Sequence, residues 1–86
     1  MLKKLPQIKA EVWSQENCPA CTEAKRLLDQ RAIRYSECML MVNGYTKQDL
    51  LAKVPNARSV PQIFLDDKYI GGLPELKKEL ARYDNN

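Results

Sequence analysis

Asn17-Cys18-Pro19-Ala20-Cys21 places two thiols three residues apart, where a strand-like run gives way to a helix-like one. Cys18 falls at the expected helix N-cap, so free backbone N–H groups and the positive end of the helix dipole face its sulfur and stabilise a thiolate. Pro19 suits the first helical position, where its missing N–H would have had no partner. Cys21, one turn in, is placed to attack a mixed disulfide formed on Cys18, which makes the pair a two-step exchange device. The same spacing also serves as half of a zinc site or as a plain disulfide staple. A four-ligand zinc site would need more donors, yet the chain has no histidine and its only other cysteine is Cys38. Exchange chemistry is therefore the preferred reading of the motif.

The 86 residues carry 14 basic and 11 acidic side chains, a net charge of +3. That length predicts one domain over residues 1–86, able to bury roughly 60% of its unfolded surface. The mild positive charge suits small anions or acidic protein patches, and no basic run with interleaved aromatics points to nucleic acid. Met1-Leu2-Lys3-Lys4 opens like the charged end of a signal peptide, but Pro6, Lys9 and Glu11 interrupt any apolar core before it reaches secretory length. There is no membrane-spanning run. An odd number of cysteines without a framework of spacings fits a reducing compartment, so the expected location is the cytoplasm.

Working outward from the cysteines, Ile8 to Ser14 alternates apolar and polar until Trp13 breaks the phase, which predicts a strand whose end is covered on both faces. Ser14-Gln15-Glu16-Asn17 is a polar loop of the kind that carries active sites. From Pro19 to about Arg31, Ala20, Cys21, Ala24, Leu27 and Leu28 recur at helical spacing, with Glu23, Lys25, Arg26 and Asp29 on the other side. A second strand begins at Ile33 and is expected to run into the core through Cys38-Met39-Leu40-Met41-Val42. Strand, helix, strand implies a right-handed parallel crossover. Asn43-Gly44 is a turn signal, and Thr46-Lys47-Gln48-Asp49 has the form of a capping box before Leu50, Leu51 and Val54, in a helix that stops near Pro55. Gln62 to Leu65 and Lys68 to Ile70 flank Asp66-Asp67 as a tight hairpin. After Gly71-Gly72, Pro74 opens a last helix with Leu73, Leu76, Leu80 and Tyr83 inward, and Asp84-Asn85-Asn86 are expected to fray. Cys38, at the head of an apolar run, is expected to pack as a small core hydrophobe.

Order and motif together resemble the glutaredoxins. The blocks that match, in that family's order, are Val12-Trp13-Ser14, Cys18-Pro19-Ala20-Cys21 with Ala24-Lys25 behind it, Ser59-Val60-Pro61-Gln62-Ile63-Phe64, and Gly71-Gly72. The resemblance implies an α/β, thioredoxin-like fold: a four-stranded mixed sheet flanked by three helices, with a cis peptide before Pro61. It implies thiol–disulfide exchange with glutathione as reductant, Cys18 attacking and Cys21 resolving, and no bound metal or organic cofactor. Protein disulfides and glutathione mixed disulfides are the implied substrates, with ribonucleotide reductase a family-typical acceptor. The implied working form is a monomer without nucleic-acid or membrane partners.

The resemblance places glutathione among Gln15, Pro19, Arg58, Val60, Pro61, Gly71, Gly72, Leu73 and Glu75. Val60 would offer its backbone to a substrate cysteine, and the glycine pair would allow close backbone approach. Three departures from the family pattern stand out. Ala20 replaces a usual aromatic and widens access to Cys18. Gln15 replaces a common Lys or Arg. Leu73-Pro74-Glu75 follows the glycines, so Pro74 has no N–H to donate and Glu75 would supply the acidic group one position late. Arg58 is the residue left to grip a carboxylate with its planar fork. Two alternatives stay open: a glutaredoxin-like carrier recharged by thioredoxin reductase, and a module holding an iron–sulfur cluster between two chains with glutathione, against which Pro19 weighs.

Overall fold

The computed structural model describes residues 8–84. Strand β1 (Lys9–Ser14) leads through the Gln15–Cys18 loop into helix α1 (Pro19–Gln30), then strand β2 (Arg34–Met39), helix α2 (Lys47–Lys53), strands β3 (Gln62–Leu65) and β4 (Lys68–Gly71), and helix α3 (Leu73–Asp84). The sheet order is β2-β1-β3-β4. β1 and β2 are parallel, while β3 runs antiparallel to both β1 and β4. This is the mixed thioredoxin-like sheet with three helices that the motif order implied.

Strand alternation divides the interior in two, because successive side chains point to opposite faces. Ala10 and Val12 of β1 and Ile63 and Leu65 of β3 meet Ala24 and Leu28 of α1 and Leu76 and Leu80 of α3. Trp13 and Phe64, from the intervening positions, face Cys38, Leu40, and Leu50 and Val54 at α2. The expected inward residues of α3 split, with Leu76 and Leu80 buried and Leu73 and Tyr83 packed at the margin. Covering both faces of β1 leaves Trp13 at 3% and Ser14 at 0% exposure. The loop that follows therefore leaves from a fixed point.

Local signals terminate the elements as their chemistry dictates. Thr46 and Asp49 form the reciprocal capping box, Asp49 N–H donating to Thr46 Oγ1 at 3.2 Å and Thr46 N–H to Asp49 Oδ2 at 2.9 Å. The β3–β4 hairpin turns on Asp66 and Asp67, both at positive φ as a two-residue turn of matching twist requires.

Two expectations are corrected. The second strand ends at Met39; Leu40 still reaches the core, but the apolar run beyond it does not, with Met41 82% and Val42 53% exposed. The reason is polar closure of a turn. Met39 N–H donates to Asn43 Oδ1, Asn43 Nδ2 donates to the Glu37 carbonyl, and Met41 N–H to the Tyr45 carbonyl, so the chain reverses before Met41 can reach the sheet. Asp84 does not fray; it is the last residue of α3 and is ion-paired with Arg31 beyond the end of α1. The signal-peptide reading of residues 1–4 and the fraying of Asn85 and Asn86 lie outside the described residues. Among the described residues, no helix is long and apolar enough to cross a membrane.

Candidate active site

Cys18 is the N-cap of α1 and Pro19 follows at its first turn. Cys18 and Cys21 are joined in a disulfide with Cα atoms 5.2 Å apart. Their environments differ: Cys18 is partly exposed, whereas Cys21 is 1% exposed. The Cys21 N–H donates to Cys18 Sγ at 3.0 Å, which directs the unsatisfied end of the helix at that sulfur. Val60 precedes a cis peptide to Pro61, and its carbonyl oxygen lies 3.9 Å from Cys18 Sγ. The turn before β3 and the start of α1 thus meet at one atom.

Two clefts join at Ser59 and Val60. One, of 430 Å³, is lined by Gln15, Asn17, Cys18 and Arg58 among others. The second, of 450 Å³, runs past Ala20 and Pro61 to Gly71, Gly72, Leu73 and Glu75. The expected site residues therefore fall into two groups, one in each cleft, with Val60 common to both. Pro19 lines neither cleft and lies exposed at the helix start, and Cys21 lies beneath. At the far end of the second cleft, Glu75 Oε1 accepts from Gly72 N–H at 2.9 Å. That is the return half of a capping box on α3, and it occupies the backbone donor nearest the glycines. Any other residue at Gly71 would be strained, because its φ is +126° and a Cβ there would lie 2.8 Å from Glu75 Cγ and force that side chain to shift.

Residues that the motifs did not single out complete the first cleft. Lys47, Leu50 and Leu51 enter from α2, with Leu40 from the end of β2. Their place depends on how α2 docks, and the only signal for Lys47 is its position one residue after the capping Thr46. In the second cleft Gln62, 7% exposed, donates to the Ser59 carbonyl at 2.8 Å and accepts from the Tyr69 hydroxyl at 2.5 Å, which fixes the Ser59–Pro61 turn against the hairpin.

Behind the cysteines lies a charged network. Glu37 Oε2 of β2 accepts from Ser14 Oγ at 2.6 Å and from Lys25 Nζ of α1 at 2.7 Å. Burial disfavours the Glu37 carboxylate, but the hydrogen bonds from Lys25 and Ser14 outweigh it and hold its pKa below the ordinary glutamate value. The network ties the active-site helix to the two parallel strands. Cys38, at 6% exposure and on the α2 side of the sheet, takes no part in the cleft, and burial pushes its pKa up. Among the described residues no group of three or more His, Cys, Asp or Glu side chains could hold a metal ion.

A partly exposed cysteine at a helix start, a buried partner one turn later and a cis-proline turn against the first sulfur define a thiol–disulfide oxidoreductase of thioredoxin-like architecture. The glutaredoxin family model matches residues 10–70. A probable glutaredoxin of Synechocystis sp. is 31% identical over 68 residues, covering 79% of this chain and 77% of that one. Reduced Escherichia coli glutaredoxin superposes with a TM-score of 0.78 at 26% identity, over 91% of this chain and 99% of that one. A buckwheat glutaredoxin–glutathione complex superposes with a TM-score of 0.75 at 26% identity, over 91% and 73%. The chain belongs to the glutaredoxin family.

Proposed function

We propose that residues 1–86 act as one domain that reduces protein disulfides and glutathione mixed disulfides, and that glutathione returns the electrons. The single observation that carries the assignment of roles is the contrast between Cys18, partly exposed at the helix start, and Cys21, 1% exposed. A Cys18 thiolate attacks one sulfur of the substrate disulfide, forming a mixed disulfide and expelling the other sulfur as a thiolate. Cys21, deprotonated, attacks Cys18 Sγ, closes the Cys18–Cys21 disulfide and releases the second substrate thiolate. Two glutathione thiols then restore the dithiol: the first forms a mixed disulfide on Cys18 and frees Cys21, and the second attacks the bound glutathione sulfur and leaves as oxidised glutathione.

Glutathione, the ligand in the buckwheat complex, would span the paired clefts. Its glycine carboxylate would be held by Arg58, with Gln15 beside it, while its γ-glutamyl end would lie towards Gly71, Gly72 and Leu73 with Glu75 near its ammonium. Its cysteine would lie extended along Val60 and Pro61, with Pro19 at the edge of the approach to Cys18.

One observation favours a second electron source. The Gly72 N–H is already taken by Glu75 and Pro74 has no N–H, so the γ-glutamyl carboxylate loses two of the four backbone donors that a helix start normally offers. A flavoprotein thioredoxin reductase would then recharge the Cys18–Cys21 disulfide directly. Coupled assays decide between them. NADPH oxidation that requires glutathione and glutathione reductase supports the first reading, and turnover with thioredoxin reductase alone replaces it with the second.

A further inference from the structure

The loop between Met39 and Lys47 carries two exposed apolar side chains that line neither cleft. Met41 and Val42 are exposed at 82% and 53%, yet the loop that carries them is held rather than loose. Its start is pinned by Leu40 N–H donating to the Ser14 carbonyl at 2.8 Å, and its return by the Met41 N–H to Tyr45 carbonyl bond at 2.8 Å, with Tyr45 edge-on to Trp13. Both ends of the loop, Leu40 and Lys47, line the same cleft as Cys18. The loop that carries Met41 and Val42 therefore starts and ends at the cleft that holds the reactive sulfur. Leu51 lines that cleft from α2, and no acidic side chain does. Among the described residues neither Lys47 nor Arg58 is ion-paired.

We propose that this loop and the α2 side of the cleft form a docking surface for disulfide-bearing polypeptides in which the reactive cysteine is flanked by apolar and acidic side chains. The inference rests on the thiol-exchange role of Cys18 but not on glutathione as electron donor. Glutathione leaves Met41, Val42 and Leu51 without apolar cover, because none of its side chains is a hydrocarbon. A polypeptide supplies that cover, and its carboxylates meet Lys47 in a cleft that offers only positive charge. In the step itself Cys18 attacks the polypeptide cysteine sulfur, the other cysteine of that disulfide leaves as a thiolate, and Cys21 then releases the first. The protein dithiol supplies both electrons.

The test uses pre-reduced protein without glutathione and three synthetic peptides that share one internal disulfide. Leucine and glutamate flank it in the first, leucine and lysine in the second, serine and glutamate in the third. Second-order reduction rates are followed by quenched thiol release. We expect the leucine–glutamate peptide to react about tenfold faster than the leucine–lysine peptide at low salt, with the gap narrowing as salt rises. Lys47→Glu removes or reverses that preference. The double variant Met41→Ser, Val42→Ser slows the leucine–glutamate peptide several-fold and leaves the serine–glutamate peptide unchanged. Equal rates for acidic and basic peptides, or preferences that survive these substitutions, overturn the proposal. So does a concentration-dependent rise in sedimenting mass that the double variant abolishes, which would assign the patch to a second copy of this chain. A protein that reduces these peptides selectively but gains no electrons from glutathione fails only the glutathione reading.

Discussion

The Cys21 backbone N–H donates to Cys18 Sγ at 3.0 Å, while the Cys21 residue itself is only 1% exposed. One cysteine thus serves the other twice, first through its amide and then through its thiol. In the dithiol form this N–H and the helix dipole stabilise negative charge on Cys18 and do nothing comparable for Cys21. Alkylation followed against pH is expected to find Cys18 reacting through a thiolate formed below the ordinary thiol range of about 8.5, with Cys21 slow throughout. Equal reactivity of the two thiols would contradict the role of the helix start.

Removing each thiol separates the two steps. Cys18→Ser is expected to abolish every exchange activity. Cys21→Ser is expected to lose reduction of protein disulfides and to keep turnover of glutathione mixed disulfides, since that reaction needs a single thiol. Activity assays on both substrate classes decide it, and any residual exchange in Cys18→Ser would reassign the attacking sulfur.

Arg58 lies in the cleft with Cys18 and Gln15. A charge-assisted contact from its guanidinium to the glycine carboxylate is worth roughly 1.5–3 kcal/mol, so Arg58→Ala is expected to lower kcat/KM for a glutathione mixed disulfide about ten- to a hundredfold. Arg58→Lys recovers part of the loss, because the planar fork is gone but the charge remains. The deficit narrows at high salt. An unchanged kcat/KM in Arg58→Ala removes this residue from the binding site.

Glu37 has a stability signature. Its pKa is lowered on folding despite burial, by hydrogen bonds from Lys25 and Ser14. A carboxylate whose folded pKa is depressed contributes stability above its unfolded pKa, and loses it as pH falls through the folded value. Glu37→Gln is therefore expected to cost about 1–2 kcal/mol near neutral pH in urea unfolding. The gap to wild type closes in acid, below the ordinary glutamate range. A pH-independent difference would mean that shape rather than charge matters there.

Cys38 is expected to resist labelling in the folded, reduced protein, because it is 6% exposed and burial raises its pKa, so little thiolate forms at neutral pH. Cys38→Ala should leave exchange activity near wild type. Labelling of Cys38 as fast as Cys18 would show that the β2 edge opens.

What could be read from the residues follows from how local each determinant is. The helix at Cys18-Pro19, the Thr46–Asp49 cap and the Asp66-Asp67 turn are decided within four residues, and each stands where the sequence indicates. The cis peptide before Pro61 has no local signature and was legible only through the family resemblance. Met41 and Val42 misled because an apolar run does not say where the chain turns. The Asn43 side chain decides that by bonding both to Met39 and to Glu37. Lys47 and Leu51 join the cleft through the docking of α2, a long-range outcome that no spacing encodes. Glu75 was expected beside the ligand, and its bond to Gly72 could have been read from capping spacing alone.

The central claim is that Cys18 is the atom through which glutathione exchanges with this protein. Cys21→Ser, incubated with oxidised glutathione and examined by intact mass and peptide mapping, tests it without any coupled enzyme. The expected result is one glutathionyl group per chain, located on Cys18 and removed by reduced glutathione. Glutathione found on Cys38 instead, or no adduct at all while Cys18 remains open to alkylation, would contradict it.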